Sequence, residues 1–291
     1  MAQRTSVVIP ERFTADVLAW GVPRLRDLPW RRTRDPWAVL VSEVMLQQTQ
    51  VARVVPRWHA FLERFPDVGA CARAPLGDVL REWQGLGYPR RARNLHAVAS
   101  RVADAGAFPA DLAGLLALPG IGPYTARAVL AFAFESDAAV VDTNIARVYA
   151  RVVGSRLTPQ QVQSLADEAC PSGDAWVWNQ CLMDLGALLC RPRAPRCGEC
   201  PVRSECSWHG TESEPDPAVG SSGVSGRQAR FEGSDRQARG RLLRALSGGA
   251  VERTEVAAIM QRDEETAERL IAALAGEGLC LDEGRRITLP G

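Results

Sequence analysis

Apolar residues recur at helical spacing through most of the first 206 positions, in the segments 37–55, 79–83, 95–102, 112–118, 126–134, 145–153 and 176–189. Period-two alternation, the mark of half-buried strands, is scarce over the same stretch. Glycine and proline punctuate the helical segments, as in Gly85-Leu86-Gly87 and Gly120-Ile121-Gly122-Pro123. The pattern predicts an all-α fold as far as Cys206. Segment 211–225 is rich in Gly, Ser, Pro and acidic residues and reads as a flexible linker. Helical spacing returns at 240–246, 254–260 and 264–275. Two short runs, 278–282 and 286–289, then flank Glu283-Gly284-Arg285 as the strands of a hairpin would.

Three helices followed by a hairpin resemble a winged helix. The third helix carries Asp263, Glu264, Glu265 and Glu268 against only Arg262 and Arg269, an unfavourable charge for entering a DNA groove. Protein contact or scaffolding is the better reading of that unit.

Composition narrows the chemistry. The 291 residues suggest about two domains. The 35 basic residues are all arginine, without one lysine. GC-rich coding accounts for most of that bias, but it still excludes a Schiff-base lysine, a P-loop lysine and a lysine general base. The net charge of +1 hides a split: 24 arginines against 20 acids in 1–206, and 11 against 14 in 207–291. Any nucleic-acid partner must therefore be argued from placement rather than total charge. The residues after Met1-Ala2-Gln3-Arg4-Thr5 hold no apolar stretch that would make a leader or a membrane span. A cytoplasmic protein is expected, in which eight cysteines do not make four structural disulfides.

Four of those cysteines, Cys190, Cys197, Cys200 and Cys206, fall within 17 positions as C-x6-C-x2-C-x5-C. Thiolates this crowded suit one metal centre rather than separate crosslinks. Zinc sites usually show two close Cys pairs, and only Cys197/Cys200 forms one here, so the spacing favours a 4Fe–4S cluster. Cys71, Cys170, Cys181 and Cys280 read as buried apolar thiols. Between the first two clustered cysteines stand Arg191, Arg193 and Arg196, stiffened by Pro192 and Pro195. They suit either phosphate contact or a solvated loop.

The run Leu118-Pro119-Gly120-Ile121-Gly122-Pro123-Tyr124-Thr125-Ala126 leads into an apolar helix. Such a turn is either a plain cap or a phosphate site made of backbone N–H groups at a helix N-terminus. Glu43 lies in Val39-Leu40-Val41-Ser42-Glu43-Val44-Met45-Leu46, among apolar neighbours that favour the neutral acid. It also shares a helical face with Gln47 and Gln50 that could meet water. Asp142 precedes a helix that begins near Asn144, as an N-cap would.

Taken together, these motifs resemble the helix-hairpin-helix, iron–sulfur DNA glycosylases of the endonuclease III superfamily, and within it the MutY type. The resemblance runs from about Trp20 to Cys206. It rests on Leu28-Pro29-Trp30-Arg31, the stretch from Ser42 to Gln50, Gly85-Leu86-Gly87-Tyr88, Arg91-Ala92-Arg93-Asn94, the hairpin, Asp142-Thr143-Asn144, and Asn179-Gln180 through Gly186-Ala187. It implies a six-helix barrel with the hairpin (31–136) and a cluster domain (137–208) with which an N-terminal helix (1–30) packs. A linker (209–235) and a small winged-helix-like domain (236–291) follow.

Strand-cleaving relatives carry an attacking lysine where this chain has Tyr124. The resemblance therefore implies a monofunctional glycosylase that hydrolyses an N-glycosidic bond of double-stranded DNA, with a monomer expected. Glu43 would be the acid for the departing base and Asp142 the carboxylate at the sugar cation, positioned by Tyr124 and Asn144. Trp30, Arg31, Leu46, Gln47, Thr49 and Gln180 would line the base pocket, while Gln48 and Tyr88 would wedge into the duplex. Gly120, Gly122, Thr125 and the three loop arginines would hold phosphates, and the four clustered cysteines a 4Fe–4S cofactor.

Three positions depart from the MutY pattern. Thr143 replaces the usual Gly between Asp and Asn, Pro89 replaces the second Tyr after Gly-Leu-Gly, and the Nudix-like C-terminal domain with its Phe-Ser-His loop is missing from the 85 residues after Cys206. The leading expectation is removal of adenine opposite 8-oxoguanine or guanine. Removal of thymine or uracil opposite G, and a non-catalytic lesion-binding protein, are the alternatives.

Overall fold

The computed structural model describes residues 9–209, 215–221 and 230–291. Residues 210–214 and 222–229 of the expected linker, and the first eight residues on which a leader would be judged, lie outside the described residues. In chain order come α1 (Phe13–Gly21), α2 (Pro36–Leu46), α3 (Val51–Arg64), α4 (Val68–Arg73) and α5 (Leu76–Glu82). Next are α6 (Arg90–Ala105), α7 (Leu112–Leu116), α8 (Pro123–Phe132), α9 (Thr143–Val152), α10 (Pro159–Ala169) and α11 (Ala175–Leu188). Beyond the cysteines lie α12 (Asp235–Gly248), β1 (Val251–Glu252), α13 (Arg253–Met260), α14 (Glu264–Gly276), β2 (Leu281–Asp282) and β3 (Arg286–Thr288). The fold is all-α ahead of β1, and no described helix is long and apolar enough to cross a membrane.

Two compact units form. The first comprises Met1–Pro36, Ala110–Leu112 and Gly122–Gly226. Its core is built on Phe13, whose ring meets Trp178 edge-on at 5.7 Å and Tyr149 at 5.8 Å. Helix α1 lies directly on α11, because a Cβ at Gly21 would stand 2.5 Å from Cys181 Sγ. The start of α10 is fixed by a capping box: Gln161 N donates to Thr158 Oγ1 at 3.3 Å and Thr158 N to Gln161 Oε1 at 2.9 Å. Residues 215–221 are packed rather than loose, which corrects the linker reading for that stretch. Asp216 pairs with Arg151 at 2.7 Å, Leu157 N donates to Ser221 Oγ at 3.2 Å, and Ala218 is buried.

The second unit comprises Trp37–Pro109, Ala113–Ile121 and Arg227–Gly291. Phe61 sits at its centre, edge-on to Phe65 at 5.0 Å and to Trp83 at 6.1 Å, with Trp37 alongside. The indoles of Trp37 and Trp58 donate to the Phe65 and Ala38 carbonyls, both at 2.9 Å, so burying these rings leaves no N–H unsatisfied. The single helical segment expected over 37–55 is in fact α2 and α3, broken at 47–50, where Gln48 takes φ 56°.

The C-terminal part of this unit has the helix–strand–helix–helix–strand–strand order of a winged helix, with its antiparallel strands ordered β1-β3-β2. Sequence reasoning found the hairpin but missed β1, a two-residue strand too short to show alternation. The boundaries also differ from expectation. Helix α8 falls with the first unit, so the division lies at 121/122 rather than 136. Residues 236–291 cluster with 37–109 rather than standing apart, through contacts that composition does not reveal. Gly77 N donates to Pro290 O at 2.8 Å, and a Cβ at Gly77 would lie 2.6 Å from that oxygen. Glu277 takes ion pairs from Arg239 at 2.5 Å and Arg90 at 2.8 Å, and those guanidiniums, Arg239 foremost, hold its carboxyl down to about 2.

Candidate active site and cysteine cavity

In the first unit, Asp142 caps α9 and is held by both oxygens. Oδ1 accepts from Ile145 N at 2.7 Å and Oδ2 from Asn144 Nδ2 at 2.8 Å. Desolvation pushes its carboxyl above the ordinary aspartate range, against the pull of those donors and of Arg147. The N-cap reading and the catalytic reading thus describe the same geometry, since the cap fixes the carboxylate. Asn144 is oriented in turn, because its Oδ1 accepts from Arg147 Nη2 at 2.8 Å. A Cβ at Gly186 would stand 2.7 Å from Asn144 Cβ, so only glycine lets α11 approach this closely.

Arg147 was missed at the level of sequence. It is buried, and Nε also donates to Cys190 O at 2.7 Å and Nη2 to Gly186 O at 2.7 Å. One guanidinium thereby joins the orienting group of Asp142 to the first clustered cysteine. One turn further on, Arg151 Nη1 donates to Cys190 Sγ at 3.3 Å and to Arg191 O at 2.8 Å, and its guanidinium lies 4.5 Å over Trp208. The available signal was two arginines, four apart, inside the apolar pattern of α9.

Cys190, Cys197, Cys200 and Cys206 line a single cavity with Val148, Leu185, Leu189 and Val202. His209 N donates to Cys206 Sγ at 3.2 Å and the Val202 N–H faces the Cys200 sulfur, so Cys190, Cys200 and Cys206 each meet an N–H group. Among the described residues, no group of three or more His, Cys, Asp or Glu is placed to hold a single metal ion. Cys71, Cys181 and Cys280 are buried and Cys170 half-buried; burial pushes their thiols up, to about 12 at Cys71 and about 11 at the others.

Trp30 is buried beside Arg31, whose guanidinium grips Asp184 with both Nη atoms at 2.8 and 2.9 Å and also donates to Arg26 O. Burial raises the Asp184 carboxyl, but Arg31 and Arg26 hold it below its usual range overall. Arg31, expected in the base pocket, is thus committed to fixing its turn on α11. Gln180, on the same helix, is buried. Tyr124 is half-buried in the first turn of α8, and Thr125 is only 2% exposed. That burial corrects the expectation that Thr125 touches phosphate.

Arg191 and Arg193 are exposed, whereas Arg196 is paired with Glu199 at 2.6 Å, which weakens its case as a phosphate ligand. Gly122 is the extended N-cap of α8, with open space where a Cβ would be.

In the second unit, Glu43 is 4% exposed on α2, so its face does not meet water as the solvent reading allowed. Leu46, Gln47 and Thr49 are half-buried and Gln48 is exposed. Gln48 and Tyr88, the two wedge candidates, both hold left-handed backbone, at φ 56° and 49°. Their loops meet on one guanidinium. Arg91 Nη1 donates to Val44 O and Gln47 O, each at 2.7 Å, and Nη2 to Leu86 O at 3.0 Å and Gly87 O at 3.1 Å. The same group lies 5.4 Å from the Tyr88 ring and 5.4 Å from that of Trp83. Gly120 takes φ 72°, and Asn94 occupies the space a side chain there would need.

The chain as a whole is similar to known proteins. Residues 41–172 fit the model of the HhH-GPD superfamily base excision DNA repair proteins, and the chain belongs to that superfamily. Its MutY-type character shows in the relatives. It is 43% identical over 273 residues to the adenine DNA glycosylase of Mycolicibacterium smegmatis, covering 91% of each chain. Identity is 40% to that of Mycobacterium tuberculosis, over 98% of this chain and 96% of the other. It is also 40% to the human adenine DNA glycosylase, but there over 67% of this chain and 39% of the relative. Among solved structures, a thermostable thymine-DNA glycosylase aligns with TM-score 0.65 at 31% identity, over 68% of this chain and 94% of that one. An endonuclease III–DNA covalent intermediate aligns with TM-score 0.61 at 25% identity and the same coverage.

Proposed function

We propose that this DNA glycosylase hydrolyses the N-glycosidic bond of adenine mispaired with 8-oxoguanine or guanine in double-stranded DNA and leaves an abasic site. The hold on Asp142 carries this reading. A carboxylate fixed by Ile145 N and Asn144 Nδ2 keeps its charge at one point, where it stabilises the oxocarbenium sugar as the base departs. Desolvation strengthens that attraction, because the site replaces water with fixed donors. Glu43, buried on α2, donates a proton to a ring nitrogen of the purine, so that the base leaves neutral. Water completes the hydrolysis. With Tyr124 on the first turn of α8 and no lysine in the chain, no lysine amine attacks the sugar, and strand cleavage by that route falls to another enzyme.

The four thiols fit a 4Fe–4S cluster. They line one cavity together with Val148, Leu185, Leu189 and Val202, and they receive N–H donors from Arg151 and His209, a setting that suits iron-bound thiolates. Cys190, Cys197, Cys200 and Cys206 would hold it, and when bound it would brace the loop carrying Arg191 and Arg193.

The test is single-turnover excision on duplexes carrying A:8-oxoguanine, A:G, T:G and U:G, with alkali to reveal abasic sites. Faster cleavage of A:8-oxoguanine and A:G supports the proposal. Preference for T:G would transfer the chain to the thymine reading, which the thymine-DNA glycosylase neighbour favours. Failure on every duplex would support a non-catalytic binder.

A further inference from the structure

Within the second unit, contacts of Tyr88 reach beyond its own loop into the C-terminal part of the chain. Arg236, in the first turn of α12, donates from Nη1 to the Tyr88 hydroxyl at 3.1 Å. Its guanidinium carbon lies 5.8 Å from the Tyr88 ring and 5.3 Å from that of Phe231. Phe231 is 52% exposed and Tyr88 36%. The arrangement is fixed, because the Glu277 ion pairs and the Gly77–Pro290 bond tie this part of the chain to α5 and α6. The acidic α14 is occupied elsewhere: Glu268 pairs with Arg253, Arg269 with Asp235, and Asp263 caps its own helix.

We infer that Phe231 and Arg236 extend Tyr88 into one DNA-binding edge, so that the C-terminal part of the chain binds duplex DNA through the start of α12 rather than through its third helix. Exposed aromatic rings interleaved with arginine suit nucleic acid, since a ring stacks on any base and the guanidinium neutralises a phosphate. Phe231 supplies the ring, and Arg236 supplies the charge for the strand that passes Tyr88. The inference rests on the reading of Tyr88 as a wedge.

The experiment measures binding of the full-length protein to an A:8-oxoguanine duplex by fluorescence anisotropy over a series of salt concentrations. F231A should weaken binding about tenfold with an unchanged salt slope, and F231L should not restore it. R236Q should weaken binding and reduce the slope by about 0.9, the value for one lost phosphate contact, while R236K keeps the slope. Unfolding temperatures separate these effects from misfolding. If Y88A weakens binding while F231A and R236Q bind as the parent does, the inference is overturned and the wedge reading survives. Unchanged binding by Y88A overturns the wedge reading, and with it the inference that rests on it.

Discussion

Arg91 is the residue whose removal should most damage the second unit. Its guanidinium donates to four backbone carbonyls within 3.1 Å, two of them from α2 and the turn after it and two from the Gly-Leu-Gly turn. Val44 O belongs to the last turn of α2, where carbonyls have no intrahelical partner, and Gln47 O to the turn that follows. Hydrogen bonds to a charged donor contribute about 1.5–3 kcal/mol each, but bonds sharing one group do not add. Each buried carbonyl left without this donor costs about 1–3 kcal/mol. Part of what is lost is restraint on Gln48 and Tyr88, whose left-handed backbone costs on the order of 1 kcal/mol apiece.

We therefore expect Arg91→Ala to destabilise the protein by about 4 kcal/mol, which lowers the unfolding temperature by roughly 10 °C. Arg91→Lys, with three donors on a point charge, should recover about half of that. Measured well below the unfolding transition, R91A should still lose about 100-fold in single-turnover excision, the order expected when positioning slips by about 1 Å. Thermal unfolding and excision rates at one low temperature separate the two effects. A fall of less than ~2 °C would refute the stability argument, and a parental rate in folded R91A would refute the positioning role.

Further outcomes follow from individual contacts. Asp142→Asn should abolish excision yet leave duplex binding intact, and excision by the variant at the parental rate would exclude Asp142 as the catalytic carboxylate. Because burial raises this carboxyl and only the anion serves the sugar cation, excision should fall, as pH drops, at a pH above the usual aspartate value of 3.8; an acid limb at or below that value would contradict the assignment. Arg147→Gln releases Asn144 and Cys190 O together, so excision and the broad absorbance near ~400 nm expected of iron-bound thiolates should decline in parallel. Gly120→Ala meets Asn94 in left-handed backbone and should lower the unfolding temperature, whereas Gly122→Ala enters open space and should weaken only DNA binding. Equal unfolding temperatures for these two variants would contradict the hairpin geometry.

Periodicity located most of the helices because α6, α8, α9 and α11 each bury a broad apolar face. It merged α2 with α3, since their separation depends on a left-handed turn at Gln48 that no glycine announces. It passed over α10, although Thr158-Pro159-Gln160-Gln161 carries a capping box and a proline at the first helical position. The clustered cysteines stand out by their spacing, whereas Asp142 and Glu43 enter the proposed site only through the family resemblance, since position alone reads them as a helix N-cap and a solvent-facing acid. Arg147 and Arg91 were not legible, because what defines them is a set of carbonyls distant in sequence. The docking of α12 on α5 and the turn after it rests on Arg81 and Gln84 donating to the Ser247 and Leu243 carbonyls, contacts that composition does not reveal. The burial of Thr125 and the pairing of Arg31 with Asp184 depend on packing that their motifs do not reveal.

The central claim is hydrolytic removal of adenine without strand cleavage. The most direct measurement is a single-turnover time course on an A:8-oxoguanine duplex labelled on the adenine strand, divided into aliquots with and without alkali. The account predicts alkali-dependent breaks at the adenine and an intact strand without alkali. Strand breaks before alkali, or none after it while a T:G duplex is cleaved, would contradict it.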